Sequence, residues 1–413
     1  MKRVLHVGKF YPPVPGGMER VVQTLCRASE GLVESRVLAM NTGGTTVEDE
    51  VDGVPVTRVG TIGAVGSVTI APSLAWRLRR PAADLIVLHE PNPWALLSYA
   101  LVRPPPPLAI WYHSDVVRHP LQYNLFYAPV ARPAYSRARC FIVSSPPLGE
   151  QASALAPYRS RIRVIPFGID PARWAADGAI SERAAALSRE LGPFVLFAGR
   201  HVPYKGVDVM LRALQGTTAR AVIAGDGPQR SAWETLAREL SLDGQVRFTG
   251  DVPDAELRAL VHAASALVLP SVTRAEAFGY VQIEAMAAGT PVISTDVPSG
   301  VSWVNQHERT GLVVAAGQPE PLRAAIVRLL ADGALRERFG AAGRERVERE
   351  FTLARLRERL QSLYGELGLL TGNRAAAQSE RAAASEPRER SGVGVPASER
   401  AGESEGRSPS ESK

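Results

Sequence analysis

The chain has 413 residues, 45% of them hydrophobic and 22% charged, and a formal net charge of +6. That length is enough for two domains with sizeable cores, and the mix is that of an ordinary globular protein. The positive charge is mild and scattered, with no recognised nucleic-acid module, so nucleic acid is not an expected partner; a basic face toward diphosphate ligands or anionic lipid suits it better.

The opening residues, Met1 to Gly8, hold a short apolar strand from Arg3 to Val7, too short for a signal peptide. The loop Gly8 to Gly17 is rich in turn formers, and a helix follows from about Met18 with Val21, Val22, Leu25 and Cys26 on its apolar side. This is a Rossmann-like opening without the Gly-x-Gly-x-x-Gly fingerprint. Gly16 and Gly17 are either a plain glycine-rich turn or the place where backbone approaches a diphosphate or acceptor. Cys26 and Cys140 are the only cysteines, both in apolar settings without metal-ligand spacing, which speaks for a reducing compartment and against a disulfide scaffold.

Strands recur at Arg36 to Met40, Val54 to Val59, Asp84 to His89, Leu108 to Tyr112, Cys140 to Ser144 and Arg163 to Ile165. Helical spacing appears at Ser73 to Arg80, Pro93 to Leu101 and Leu121 to Ser136. Alternation of this kind means a parallel sheet covered on both faces. A second series starts at Phe194 to Arg200 and continues through Arg220 to Gly225, Gln245 to Gly250, Ala266 to Pro270, Pro291 to Thr295 and Gly311 to Ala315, with helices between. The expected architecture is therefore α/β: a first domain over 1–168, a linker with a short helix over 169–190, a second domain over 191–350, a last helix over 351–369 and a tail over 370–413. The tail is dominated by Ala, Ser, Glu, Arg, Gly and Pro and is expected to be disordered. No stretch approaches the roughly 20 apolar residues of a membrane span.

The chain is organised around Arg274 to Met286. Two carboxylates stand eight positions apart there, Glu276 in a loop after a buried-looking strand and Glu284 inside the helix that follows. The loop falls at the carboxyl end of a parallel sheet, where α/β folds bind ligands. Between the carboxylates lie Phe278, Gly279 and the free N–H groups of a helix start, which attract phosphate. A sugar nucleotide fits this layout, with Glu276 at the sugar hydroxyls, the N–H groups at the diphosphate and Glu284 at the ribose. The alternative is a pair of solvated glutamates on a surface helix.

These residues resemble the Glu-x7-Glu signature of retaining glycosyltransferases of family 4, which have the GT-B fold. The resemblance runs through Pro15-Gly16-Gly17-Met18-Glu19-Arg20, Ile165-Pro166-Phe167-Gly168-Ile169-Asp170, Gly199-Arg200 with Lys205-Gly206, and Gly225-Asp226-Gly227-Pro228. It implies two doubly wound Rossmann-like domains facing a cleft, with a C-terminal helix crossing back to the first. Two stretches, Trp111-Tyr112-His113-Ser114-Asp115-Val116-Val117-Arg118 and Val304-Asn305-Gln306-His307, look like mannosyl- and rhamnosyltransferases of bacterial O-antigen and exopolysaccharide assembly.

The resemblance implies a catalytic set of His113, Arg200, Lys205 and Glu276. Arg200 and Lys205 would hold the diphosphate, an arginine as a fork and a lysine as a point charge. Gly16, Gly17, Gly225, Asp226, Phe278, Gly279 and Glu284 would complete the nucleotide-sugar site, and Glu19, Asp115 and Arg118 are candidates for sugar or acceptor contact. Transfer would proceed on the front face with retention, the leaving phosphate taking the acceptor's proton. No Asp-x-Asp motif stands at a strand end, so neither metal nor other cofactor is expected. The donor is expected to be GDP-mannose and the acceptor a lipid-linked glycan. The place of work would be the cytoplasm, with peripheral contact at the inner membrane face through Arg77, Arg79 and Arg80 or Arg132, Arg137 and Arg139. The alternatives are an epimerase or hydrolase of the same fold, and a non-catalytic glycan-binding protein.

Overall fold

The computed structural model describes residues 1–66, 68–115 and 127–370, and residues 1–370 form one compact unit. Arg118 and the proposed tail lie outside the described residues, as do 121–126 of the helix expected from Leu121.

The first lobe is built on an eight-stranded sheet. Its strands are β1 (Arg3–Val7), β2 (Glu34–Met40), β3 (Val47–Val51), β4 (Val54–Val59), β7 (Leu85–Glu90), β8 (Leu108–Tyr112), β9 (Ala138–Val143) and β10 (Ile162–Val164), while β5 (Gly63–Val65) and β6 (Val68–Ile70) form a separate hairpin. The order is β10-β9-β8-β7-β1-β2-β4-β3, parallel except for β3 against β4. Strands covered on both faces by helices read as unbroken apolar runs, and every residue of β7 and β8 is buried. β3 escapes a reading by hydrophobicity because Val47-Glu48-Asp49-Glu50-Val51 is an exposed edge strand, and charge there discourages edge-to-edge pairing.

The second lobe carries β11 (Phe194–Ala198), β12 (Arg220–Ala224), β13 (Val246–Gly250), β14 (Ala266–Leu269), β15 (Val292–Asp296) and β16 (Gly311–Ala315), all parallel, in the order β13-β12-β11-β14-β15-β16. This is the doubly wound 3-2-1-4-5-6 order, and its switch point lies between β11 and β14. Strand order reverses about that point, and in such sheets ligands bind in the crevice at the carboxyl ends of the strands there. The first sheet has the same kind of switch point between β1 and β7.

The segment expected to be a linker with a short helix differs from expectation. It holds a 14-residue helix, Gly178–Leu191, started by the Asp177 carboxylate accepting from the Ile180 N–H at 2.9 Å. Ile180, Ala184 and Leu187 lie at helical spacing, and the helix packs against Asp254–Ala263 of the second lobe. Three apolar positions among alanines and arginines made a weak stripe that composition concealed.

Two chain crossings join the lobes and lie side by side. Ile169 bridges to Thr352: its N–H donates to the Phe351 carbonyl and its carbonyl accepts from the Leu353 N–H, both at 2.8 Å. After the second crossing the helix Leu353–Glu366 packs on the first lobe's Gly17–Ala28 helix. Tyr364 and Ser29 share a hydroxyl pair at 2.9 Å, and the Arg357 guanidinium donates to the carbonyls of Ala28 and Glu30. The last helix therefore crosses back to the first lobe, as the sequence led one to expect.

Candidate active site

Both loops at the second lobe's switch point contribute charge. The loop after β11 runs from Arg200 to Gly206, with a tight turn at Pro203–Lys205. Gly206 has φ of +66°, and a Cβ there would lie 2.1 Å from the Pro270 carbonyl oxygen, so only glycine lets this loop press against the one after β14. The contact brings Lys205 Nζ to 2.5 Å from Glu276 Oε2. Ser271 Oγ donates to the same carboxylate at 3.1 Å, and both charged side chains are about one-tenth exposed. Burial works against the Lys205 charge, but Glu276 and Tyr204 outweigh it and hold the ammonium above its usual range.

Glu284 sits on the helix Tyr280–Ala288, whose first turn no side chain caps. Gly279 precedes it with φ of +72°, and a Cβ there would fall 2.5 Å from the Leu269 side chain. Glu284 is 3% exposed and meets Arg20 Nη2 of the first lobe at 2.5 Å. Burial raises the Glu284 carboxyl above the usual range, with Arg20 opposing. The Arg20 guanidinium also lies over the Tyr280 ring, 4.7 Å from its centroid. A second pair spans the lobes where Arg274 Nη1 reaches Asp115 Oδ2 at 3.2 Å; the Tyr112 hydroxyl donates to the other oxygen of that carboxylate.

On the first lobe, Glu19 curls back so closely over Gly16 that a Cβ on Gly16 would lie 1.9 Å from its carboxylate. The Gly16 backbone is extended, and a Cβ there would oblige the flexible end of the Glu19 side chain to move. Gly17 opens the helix Gly17–Ala28 with nothing near its missing Cβ. Burial raises the Glu19 carboxyl, and its own N–H, Lys9 and the exposed Arg200 pull it back, so Arg200 acts on the first lobe across the crevice. His113 lies just past β8, with its ring centroid 5.9 Å from that of Phe167 and its backbone N–H donating to the Glu90 carbonyl at 3.0 Å. Burial depresses the imidazole to about 3.

The structure thus gathers Lys205 with Glu276, Arg20 with Glu284, and Arg274 with Asp115. Asp115, expected at sugar or acceptor, is held by Tyr112 and Arg274. Asp226 is exposed and tied into its own loop by the Gly227 N–H at 2.6 Å and Arg230 at 2.9 Å, while Gly225 donates to Gly250. Phe278 is 3% exposed and its ring packs edge-on to Phe167 at 4.9 Å and Phe351 at 5.8 Å, which leaves its backbone for a ligand. An aromatic beside two crossing segments is worth more as packing than as a ligand contact. The reading of Arg77, Arg79 and Arg80 as one helix also changes, since the helix Ser73–Leu78 ends before the last two. Arg20 and Arg274 received no role from sequence, although each stands beside an assigned glutamate.

Comparison with known proteins shows the family and the fold. The family model described as "Glycosyltransferase Family 4" matches residues 15–173, and "Glycosyl transferases group 1" matches 180–346. The chain is 32% identical to D-rhamnosyltransferase WbpZ of Pseudomonas aeruginosa over 355 residues, covering 85% of this chain and 92% of that protein. It is 29% identical to O-antigen chain mannosyltransferase C of Escherichia coli over 380 residues, covering 88% and 98%. Among solved structures, Anabaena Alr3699/HepE in complex with UDP superposes with a TM-score of 0.70 at 20% identity, covering 89% of this chain and all of that one.

Proposed function

We propose that this chain, which belongs to glycosyltransferase family 4, moves a hexose from GDP-mannose onto a lipid-linked glycan with retention at the anomeric carbon. The fold is GT-B and the chain is a glycosyltransferase; the donor, the acceptor and the stereochemistry are what is proposed. The observation that carries it is the Lys205–Glu276 pair at the switch point, with Glu284 on the helix that follows. The names of two relatives, a rhamnosyltransferase and an O-antigen mannosyltransferase, support a hexose and a surface glycan.

In this reading the diphosphate lies between Arg200, Lys205 and the uncapped start of the Tyr280–Ala288 helix. An ammonium has three donors, so Lys205 can hold Glu276 and a phosphate oxygen together. Glu276 accepts from hydroxyls of the transferred sugar, and Glu284 accepts from the ribose once Arg20 gives up part of its hold. The departing diphosphate gains charge as the glycosidic bond breaks, and fixed cations aimed at it stabilise that change. Its oxygen then takes the acceptor's proton on the same face. Neutralisation by Arg200 and Lys205 asks for no metal.

A thermal-shift panel tests the donor. GDP and GDP-mannose should raise the melting temperature more than the UDP, ADP or dTDP pairs, equally with and without chelator; a ligand at 100 times its Kd adds about 2.7 kcal/mol. A larger shift from another base removes GDP-mannose from the proposal.

Contact with a membrane is supported by the first lobe. Trp76 is 72% exposed at the rim of a hollow of about 570 Å³, beside Arg77, Arg79 and Arg80. Arg77 is paired with Glu48 at 3.0 Å, which leaves the exposed Arg79 and Arg80 as the better lipid contacts. A cation near an anionic leaflet contributes about 1 kcal/mol, and tryptophan favours the interface. Co-sedimentation with anionic vesicles should occur at low salt and fall in the Trp76→Ser/Arg79→Gln/Arg80→Gln variant. Equal binding by that variant would move the contact elsewhere. Among the described residues, no helix is long and apolar enough to cross a membrane.

A further inference from the structure

Three histidines stand on adjacent strands of the first sheet, behind the site. His6 is in β1, His89 in the neighbouring β7, and His113 immediately follows β8. Their rings stack at 5.3 and 5.2 Å, and their nitrogens meet in series. His6 Nδ1 lies 3.0 Å from His89 Nε2, and His89 Nδ1 lies 2.9 Å from His113 Nε2. His6 and His89 are at most 1% exposed and His113 7%.

A neutral imidazole has one N–H and one lone pair. Both nitrogens of His89 are engaged, so the two links must run in the same direction. Either His6 donates to His89 and His89 to His113, or every bond points the other way. The far end distinguishes the two. His6 Nε2 is buried with no hydrogen-bond partner among the described residues. The first direction leaves a bare lone pair there, and the second leaves a bare N–H. Among backbone groups a buried N–H without a partner is rarer than an under-satisfied acceptor, and the same preference applied to His6 favours the first direction. That direction spends the lone pair of His113 at Nε2, placing its proton on Nδ1.

We propose that His6 and His89 are positioning residues: their column runs one way, from His6 through His89 to His113, and fixes His113 as a hydrogen-bond donor through Nδ1 to an oxygen of the bound sugar. The sugar as recipient rests on the function proposed above; the direction of the column does not. Burial keeps all three rings uncharged at neutral pH, and the neighbouring imidazoles add to this at His89. His113 thus donates without bringing a charge to a site that must stabilise an electron-poor sugar. It also holds the tautomer that an imidazole in water populates less, and only the column keeps it there.

The test is long-range ¹H–¹⁵N spectroscopy on the full chain with labelled histidine; the protein has seven, few enough to assign by single substitutions. His6, His89 and His113 should each show a protonated Nδ1 and a bare Nε2, unchanged from about pH 6 to 8, where a free histidine titrates. An Nε2–H or averaged signal at His113 overturns the proposal. In the second arm, His89→Asn places an amide nitrogen where Nδ1 stood, whereas His89→Leu leaves His113 without a donor. The leucine variant should shift His113 toward Nε2–H and lower kcat/KM for the sugar nucleotide roughly tenfold, the scale of one hydrogen bond lost in the transition state. The asparagine variant should restore both. Equal losses in the two variants with the His113 tautomer unchanged would reduce the column to packing. The wild-type spectrum needs neither substrate nor variant, so it decides the direction even where the leucine variant fails to fold or the donor assignment fails.

Discussion

Lys205→Ala should lower turnover at least about a hundredfold and also lower the melting temperature, whereas Arg200→Ala should show the first effect without the second. Loss of a charge aimed at the transition state costs on the order of 10²-fold or more. The difference in stability comes from what each side chain leaves behind. Arg200 is exposed, and Glu19, the buried carboxylate it acts on, keeps Lys9. Lys205 is paired at 2.5 Å with Glu276, a residue 8% exposed, so its removal leaves that carboxylate buried with Ser271 as its one side-chain partner among the described residues. Breaking a buried pair from one side costs about 3–5 kcal/mol. Adding Glu276→Gln to Lys205→Ala should return most of the stability and none of the turnover. Steady-state rates with thermal melts on the four proteins make the check, and near-normal turnover in Arg200→Ala/Lys205→Ala would remove the diphosphate assignment.

A chain ending at Glu350 should fail to fold cooperatively. It loses Phe351 and the helix Leu353–Glu366, in which Leu356, Leu360, Leu363 and Tyr364 are buried. Burying one such side chain contributes about 1.5–3 kcal/mol, so five together rival the 5–15 kcal/mol by which domains are stable. The cut also removes the strand contact to Ile169 and the aromatic neighbour of Phe278 and Trp303. By contrast Tyr364→Phe loses only the hydroxyl pair with Ser29, about 1 kcal/mol. A soluble truncated chain with a sharp melt near that of the whole protein would show that the helix is an ornament on the first lobe.

How much of this could be read from the sequence depended on the distance between partners. Strands buried on both faces announced themselves as apolar runs, and the loop-helix unit around Glu276 and Glu284 was visible because both carboxylates belong to one short stretch. Lys205 was tied to that stretch only by the family resemblance, and the strand order supplies the physical reason, since β11 and β14 flank a switch point. The pairs Arg20–Glu284 and Arg274–Asp115 could not be read, since they join lobes whose relative placement no local pattern encodes. The packing of the Phe278 ring was hidden for the same reason: its neighbours Phe167 and Phe351 come from the two crossing segments, far away in the chain. The histidine column was hidden in plain strand residues, because only the pairing of β1 with β7 and β7 with β8 aligns its members.

The return of the last helix to the first lobe also bears on how the protein is made. Ser29 and Tyr364 are 335 positions apart. At ribosomal rates of about 5–20 residues per second, the first lobe emerges on the order of tens of seconds before the helix that covers it. During that interval the face of Gly17–Ala28 that receives Leu360, Leu363 and Tyr364 stays open to water. A nascent chain of this topology therefore exposes an apolar surface until synthesis has passed Glu366.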